Sequence, residues 1–155
     1  MIYISNSCHF FSSLNKVYPK WSELPNIDLY LDQVLLYVNR LDSSSIVDDD
    51  KGLTSAMINN YVKNGHLDKP IKKKYNRKQL ARLIVITCLK NVFSIQEISK
   101  TINSLTSEGS SEEMYDNFVM CMNGEKRDGL ADVIVAACDT VRLYKKTHDL
   151  VEKLK

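Results

Sequence analysis

The stretch Asn76–Phe93, NRKQLARLIVITCLKNVF, constrains the fold more than any other part of the chain. Asn76 can accept from the free N–H groups of a first helical turn, and Gln79 stands three residues on, the spacing of a reciprocal capping box. Leu80, Ala81, Leu83, Ile84, Val85, Ile86, Cys88, Leu89, Val92 and Phe93 then leave only a narrow polar stripe of Arg82, Thr87 and Lys90. A helix so apolar can be stable in water only with other elements packed on several of its sides. The rest of the chain must supply them.

Several segments qualify. Ser94 and Glu97 repeat the capping spacing, and Ile95, Ile98, Ile102 and Leu105 give the next helix an inward stripe. From Asp28 to Leu41, the pattern Leu29, Leu31, Val34, Leu35, Val38, Leu41 predicts a helix, with Leu36 and Tyr37 broadening its apolar face. After the break TSEGSS at 106–111, Ser110 or Ser111 with Glu113 starts a short helix to Met122. Asn123, Gly124 and Gly129 bracket a turn, and residues 130–154 read as one long helix. There Leu130, Ala137, Tyr144 and Val151 recur at seven, with Thr140, Thr147 and His148 interrupting the register. Such a helix can pack on a partner subunit or back on its own domain. Residues 1–25, broken by Pro19 and Pro25, read as an N-terminal strap, with Trp21, Leu24 and Ile27 expected to cover the core.

The segment Leu53–Tyr75 is different in kind. Thr54 or Ser55 can cap a helix whose apolar face is Met57, Ile58, Tyr61 and Val62. Opposite lie Asn59, Asn60, Lys63 and Asn64, a polar face without an acid, and Gly65 supplies the left-handed residue that stops a helix. Residues 66–75 are too few and too basic for a buried element, and suit a small two-stranded wing. Pro70 limits its pairing, Leu67, Ile71 and Tyr75 face the domain, and the lysines face outward.

The net charge of +2 conceals a strong polarity. Between Lys63 and Lys90 stand nine basic residues (Lys63, Lys69, Lys72, Lys73, Lys74, Arg77, Lys78, Arg82 and Lys90) against one acid, Asp68, a local charge of +8. Of the chain's 21 basic and 19 acidic residues, 12 and 18 remain elsewhere. One basic face beside an acid-free helix points to phosphate contact, whereas an isolated lysine run would read as a solvated loop.

Other chemistries find little material. The chain has no phosphate-cradling glycine loop and no H-E-x-x-H, and its five glycines are scattered. His9, His66 and His148 lie far apart, and only the adjacent Cys8 and His9 approach ligand spacing. Asp48, Asp49 and Asp50 in the acidic loop 42–51 lack the alternating order of a calcium loop. Neither a metal nor another cofactor is expected, nor a catalytic site. Cys8, Cys88, Cys121 and Cys138 have no paired spacing, which fits reduced thiols in the cytoplasm. No uncharged apolar run reaches membrane-spanning length, and the N-terminal patch Met1–Ile4, Phe10 and Phe11 lacks the basic lead of a secretion signal.

The order of these pieces resembles the winged helix-turn-helix of MerR-type transcription regulators. Asn59-Asn60-Tyr61 stands where those proteins carry Arg-Tyr-Tyr, Gly65-His66-Leu67 matches a G-L-L-like step, and Phe93-Ser94-Ile95-Gln96-Glu97-Ile98 matches an F-S-L-x-E-I-like segment. Residues from about Leu24 to Leu105, including LPNIDLYLDQV, LTSAMINNYVKNG and KKKYNRKQLARLIVI, resemble more closely a bacterial family, domain of unknown function 1836, itself thought to be MerR-like. The chain departs from the MerR pattern at Asn59, where the reading-helix arginine is missing, and in the longer loop 42–52.

The resemblance implies a MerR-like winged helix-turn-helix with a small basic β-wing over 26–105 in a mainly α-helical fold, to which the residues themselves add the strap over 1–25 and additional C-terminal helices over 106–155. It implies a DNA-binding transcription regulator reading duplex DNA with helix 54–64 and the wing 66–75. Thr54, Ser55, Asn59, Asn60, Lys63, Lys69, Lys72, Lys73 and Lys74 would contact DNA, with Arg77 and Lys78 beside them, while Tyr61 packs. Asn59 or Asn60 in a major groove could read adenine, each good bidentate contact being worth about 1–3 kcal/mol. The expected partners are double-stranded DNA and a second copy of the chain, joined through the C-terminal helix. A non-enzymatic protein-interaction module on the same fold is the alternative.

Overall fold

The computed structural model describes residues 18–41 and 52–154; the acidic loop, Cys8 and His9 lie outside them. The fold is mainly helical with one small antiparallel sheet. Strand β1 (Leu29–Tyr30) runs into helix α1 (Leu31–Leu41), followed by α2 (Ser55–Lys63), β2 (Lys74–Tyr75), α3 (Arg77–Leu89), α4 (Ile95–Ser107), α5 (Ser111–Met122) and α6 (Asp132–Glu152).

Helix α3 is the hub. It touches α1, α4, α5 and α6, and Leu80, Leu83, Ile84, Val85 and Ile86 on it are almost fully buried. Thr87, read from the sequence as part of a polar stripe, is buried too at 3% exposure. Neighbours on every side of α3 leave it no outer face there, and its hydroxyl finds no partner among the described residues. Both bonds of the predicted Asn76–Gln79 and Ser94–Glu97 capping boxes form. Ser110, not Ser111, caps α5 by accepting from the Glu113 N–H at 3.0 Å.

Three expectations are corrected. The helix predicted from Asp28 begins at Leu31, because Leu29 and Tyr30 pair instead with Tyr75 and Lys74. Leu36 is exposed and does not widen the buried face of α1, which rests on Val34 and Val38. Ile27 is 66% exposed, so it does not join Tyr18, Leu24 and the half-buried Trp21 in covering the core. Residues 1–17 of the expected strap lie outside the described residues; its segment 18–24 is fastened by polar bonds to α5 and the turn after it. Asn123 exchanges two hydrogen bonds with the Tyr18 backbone, the Tyr115 hydroxyl donates to the Pro19 carbonyl, and Asp116 accepts from the Trp21 N–H. The Trp21 ring meets Tyr115 edge-on at 6.1 Å.

Helix α6 divides in two. Ile134, Cys138 and Val141 are buried against the body, and Arg142 donates to the Cys121 and Met122 carbonyls. Beyond Arg142 the apolar side chains are bare: Leu143, Tyr144, Leu150, Val151 and Leu154 are all exposed. The seven-residue recurrence therefore makes no buried seam within the chain. Cys88, Cys121 and Cys138 are buried, small hydrophobes in effect. No described helix is long and apolar enough to cross a membrane.

Candidate nucleic-acid interface

Helix α2 is short, and its position depends on how its ends are tied. Thr54 caps it, accepting from the Met57 N–H at 3.2 Å. Just before, the Asn39 side chain of α1 binds both polar groups of Leu53, accepting from its N–H at 2.8 Å and donating to its carbonyl at 2.9 Å. A β-carbon on Gly52 would lie 2.3 Å from the Asn39 amide oxygen, so only glycine leaves room for this clamp. At the other end Gly65 adopts φ +77°, His66 N–H reaches the Tyr61 carbonyl and Gly65 N–H the Val62 carbonyl. These are the two bonds of a Schellman stop. Ile58 and Tyr61 face the core, as the sequence predicts, and burial pushes the Tyr61 phenol pKa up. Ser55, Asn59 and Lys63, spaced at i, i+4 and i+8, form an exposed ridge, with Asn60 beside it bonded to Asn64 at 2.9 Å.

The predicted wing takes an unforeseen form. Ile71 and Lys74 exchange both backbone hydrogen bonds at 3.0 Å, and between them Lys72 and Lys73 sit at φ +52° and +66°. Positive φ at both central residues defines a type I′ hairpin turn, which usually takes Asn-Gly. Two lysines there are strained by roughly 1–2 kcal/mol each. The main partner of β2 is not the preceding arm but β1, more than forty residues earlier, in the register Leu29 opposite Tyr75 and Tyr30 opposite Lys74. Pro70, lacking an N–H, keeps the arm before the turn to a single bridge at Ile71. Leu67 and Tyr75 are buried as expected, but Ile71 is 73% exposed, a correction that follows from its place at the turn. The Lys74 ammonium sits 5.1 Å from the centroid of the Tyr30 ring.

The predicted contact residues separate into groups. Ser55 and Asn59 of α2 and Lys73 of the turn line one open groove, whose walls are Tyr30, Leu31, Leu35 and Pro70, with Asp32 on its rim. Asn60, Lys63, Lys69 and Lys72 are exposed outside that lining. Lys78 lines a different cavity. Thr54 spends its hydroxyl oxygen on the cap. Arg77 turns inward, donating to the Leu24 and Pro25 carbonyls. Arg82, part of the basic count, is also inward: it donates to the His66 carbonyl at 2.6 Å and to the Ser99 hydroxyl at 2.9 Å. Burial lowers its pKa, opposed by the nearby Asp68 carboxylate. The outward charge is thus carried by lysines alone.

Gln79 does more than its capping role announced. Its amide nitrogen also donates to the Asp68 and Lys69 carbonyls at 2.9 and 3.1 Å, pinning the wing's root to α3. Sequence reading also missed Tyr30 and Asp32 on the groove. Tyr30 sits in a segment whose apolar spacing reads as helix, and only the distant partner at 74–75 reveals its strand, while Asp32 lies in α1 as predicted with no local signal tying it to the groove.

Among the described residues no cluster of three or more histidines, cysteines or acids could hold a metal ion. A family model described as Domain of unknown function (DUF1836) matches residues 19–118, which takes the match past Leu105 and through most of α5. Neither a curated protein nor a solved structure gives a significant match.

Proposed function

The chain belongs to the DUF1836 family, and we propose that it is a non-enzymatic, cytoplasmic DNA-binding transcription regulator of MerR-like winged helix-turn-helix type. The observation that supports this reading is the juxtaposition, across one groove, of an acid-free helix ridge carrying Ser55 and Asn59 with Lys73 of the hairpin turn, whose other central residue is Lys72. Two lysines kept at backbone positions that favour glycine suggest that charge at the tip is worth its conformational strain. In this reading α2 lies in a major groove and the exposed lysines neutralise phosphates, without regard to sequence. Asn59 and Asn60 supply base contacts. The bare apolar stripe Leu143, Leu150, Val151 and Leu154 supports a dimer through the end of α6.

Binding to random duplex DNA across a salt series tests it. The affinity should fall steeply and linearly on logarithmic axes, with a slope of about −0.9 per phosphate neutralised. No binding at low salt, or affinity indifferent to salt, overturns the proposal. Asn59→Ala with Asn60→Ala should erase site preference and keep non-specific binding. Light scattering should give a dimer mass.

A second reading, a protein-interaction module, draws on the apolar walls of the groove, Tyr30, Leu31, Leu35 and Pro70, and on the exposed Ile71. It predicts that the two asparagine substitutions change no DNA preference, because there is none.

A further inference from the structure

A second, partly open cavity of about 160 Å³ shares no lining residue with the groove. It lies between the Gly65–Asp68 turn, the first turns of α3, the middle of α4 and the start of α5. Its lining is unusual for so small a space: Arg82 and Lys78 from α3, Asn103 from α4 and Ser111 from α5 are set over an apolar floor that includes Met114. We propose that this cavity is a binding site for a small oxyanion, of the size of phosphate or a short carboxylate, held by Arg82 and Lys78.

The charge balance argues for an anion. Arg82 is half-buried, and among the described residues no ion pair ties it to a carboxylate. Its Nε and one terminal nitrogen bond to neutral oxygens, those of His66 and Ser99, and its other terminal nitrogen has no acceptor among the described residues. A half-buried cation whose bonds go to neutral oxygens, with a further donor left open, can take an anion through charge-assisted bonds. The Asp68 carboxylate, also in the lining, acts on it through space but makes no ion pair, and against Arg82 and Lys78 together it leaves the cavity net positive. Asn103 and Ser111 add neutral donors that can share an oxyanion. Lys78 and Asn103 are exposed and carry no side-chain bond within the described chain, so both can turn to a ligand.

Size limits the ligand. A dry cavity of about 150 Å³ is filled by a molecule as large as benzene, and pockets for drug-sized ligands start near 300 Å³. A tetrahedral oxyanion or a two- to four-carbon acid fits within such a volume. Ligand oxygens replacing water around Arg82 would form charge-assisted bonds, the strong kind.

The site does not depend on the DNA reading, and its test needs no DNA. Inorganic phosphate and malonate are titrated separately into the full-length protein by calorimetry and thermal shift, at ionic strength held constant with sodium chloride. Saturable binding of at least one probe, with a matching rise in melting temperature, is the expected result. Arg82→Gln should weaken it about tenfold or more. Because Arg82 also holds His66 and Ser99, Asn103→Asp provides a second arm: it adds a negative charge to the lining without removing a scaffold bond, and should weaken binding to a similar degree. Lys72→Ala with Lys73→Ala should bind the probe as the wild type does. No saturable binding of either probe overturns the proposal. So does binding that survives both Arg82→Gln and Asn103→Asp, or that disappears with the tip lysines, since each would put the anion elsewhere.

Discussion

The body around α3 and the element formed by α2 and the hairpin are held by different forces. In the body, Leu80, Leu83, Ile84, Ile86, Tyr115, Val119 and Val141 are almost wholly buried, and position comes from packing. The interface element buries few side chains, chiefly Ile58, Tyr61, Leu67 and Tyr75. It is located by side chains bonded to backbone: Asn39 to Leu53, Gln79 to Asp68 and Lys69, Arg82 to His66. Packing supplies most of the free energy, while directed bonds to loop backbone supply orientation. Damage to the first should unfold the chain, and damage to the second should misplace a surface before it unfolds anything.

That contrast can be broken at several points. Leu83→Ala, at the centre of α3, should cost about 2–5 kcal/mol of stability by chemical denaturation, with DNA affinity lost only in step with folding. Asn39→Ala leaves the N–H and carbonyl of the buried Leu53 without their partner and should cost about 2–3 kcal/mol. Here DNA affinity should drop more than the folded fraction does; if the two fall together, the division between packing and orientation fails. Replacing Lys72 by Asn and Lys73 by Gly should act in the opposite direction. Relieving two left-handed lysines should stabilise the fold by about 2–4 kcal/mol, while the salt slope of DNA binding shrinks by about two phosphates' worth. A neutral or destabilising result would show that the turn carries no strain.

The smallest effect belongs to the body's surface. Asp139, hydrogen-bonded to Arg127 at 2.6 and 2.8 Å, has its carboxyl held below its ordinary pKa by that partner. A carboxylate depressed in the folded state contributes stability above its unfolded value and loses it as pH falls through the folded one. The difference in melting temperature between wild type and Asp139→Asn should therefore be small at neutral pH and vanish in acid. Both groups are exposed, so added salt should shrink it too.

How far these regions can be read without coordinates also differs. The capping boxes at 76–79 and 94–97, the stop at Gly65 and the inward face of α2 follow from neighbours a few residues apart, and local chemistry suffices for them. The strand at Leu29–Tyr30 is too short to have a pattern of its own and exists because Lys74–Tyr75 lies beside it. Ile71 looked inward by alternation, but a two-residue turn cancels alternation at its corners. The basic count overstated the outward charge, since nothing in the sequence marks Arg77 and Arg82 as donors to buried carbonyls while the lysines stay in solvent.

The sequence by itself determined the helices, their caps, the central place of α3 and the split between a basic segment and an acidic remainder. These are properties of short windows, where backbone geometry and side-chain type act over one or two turns. Tertiary structure alone decided which cations face out, that Ser55 and Asn59 meet Lys73 across one groove, and that Arg82 and Lys78 line a separate cavity. Those are relations between residues distant along the chain, fixed only when the packing of α3 against its neighbours sets where each loop must run.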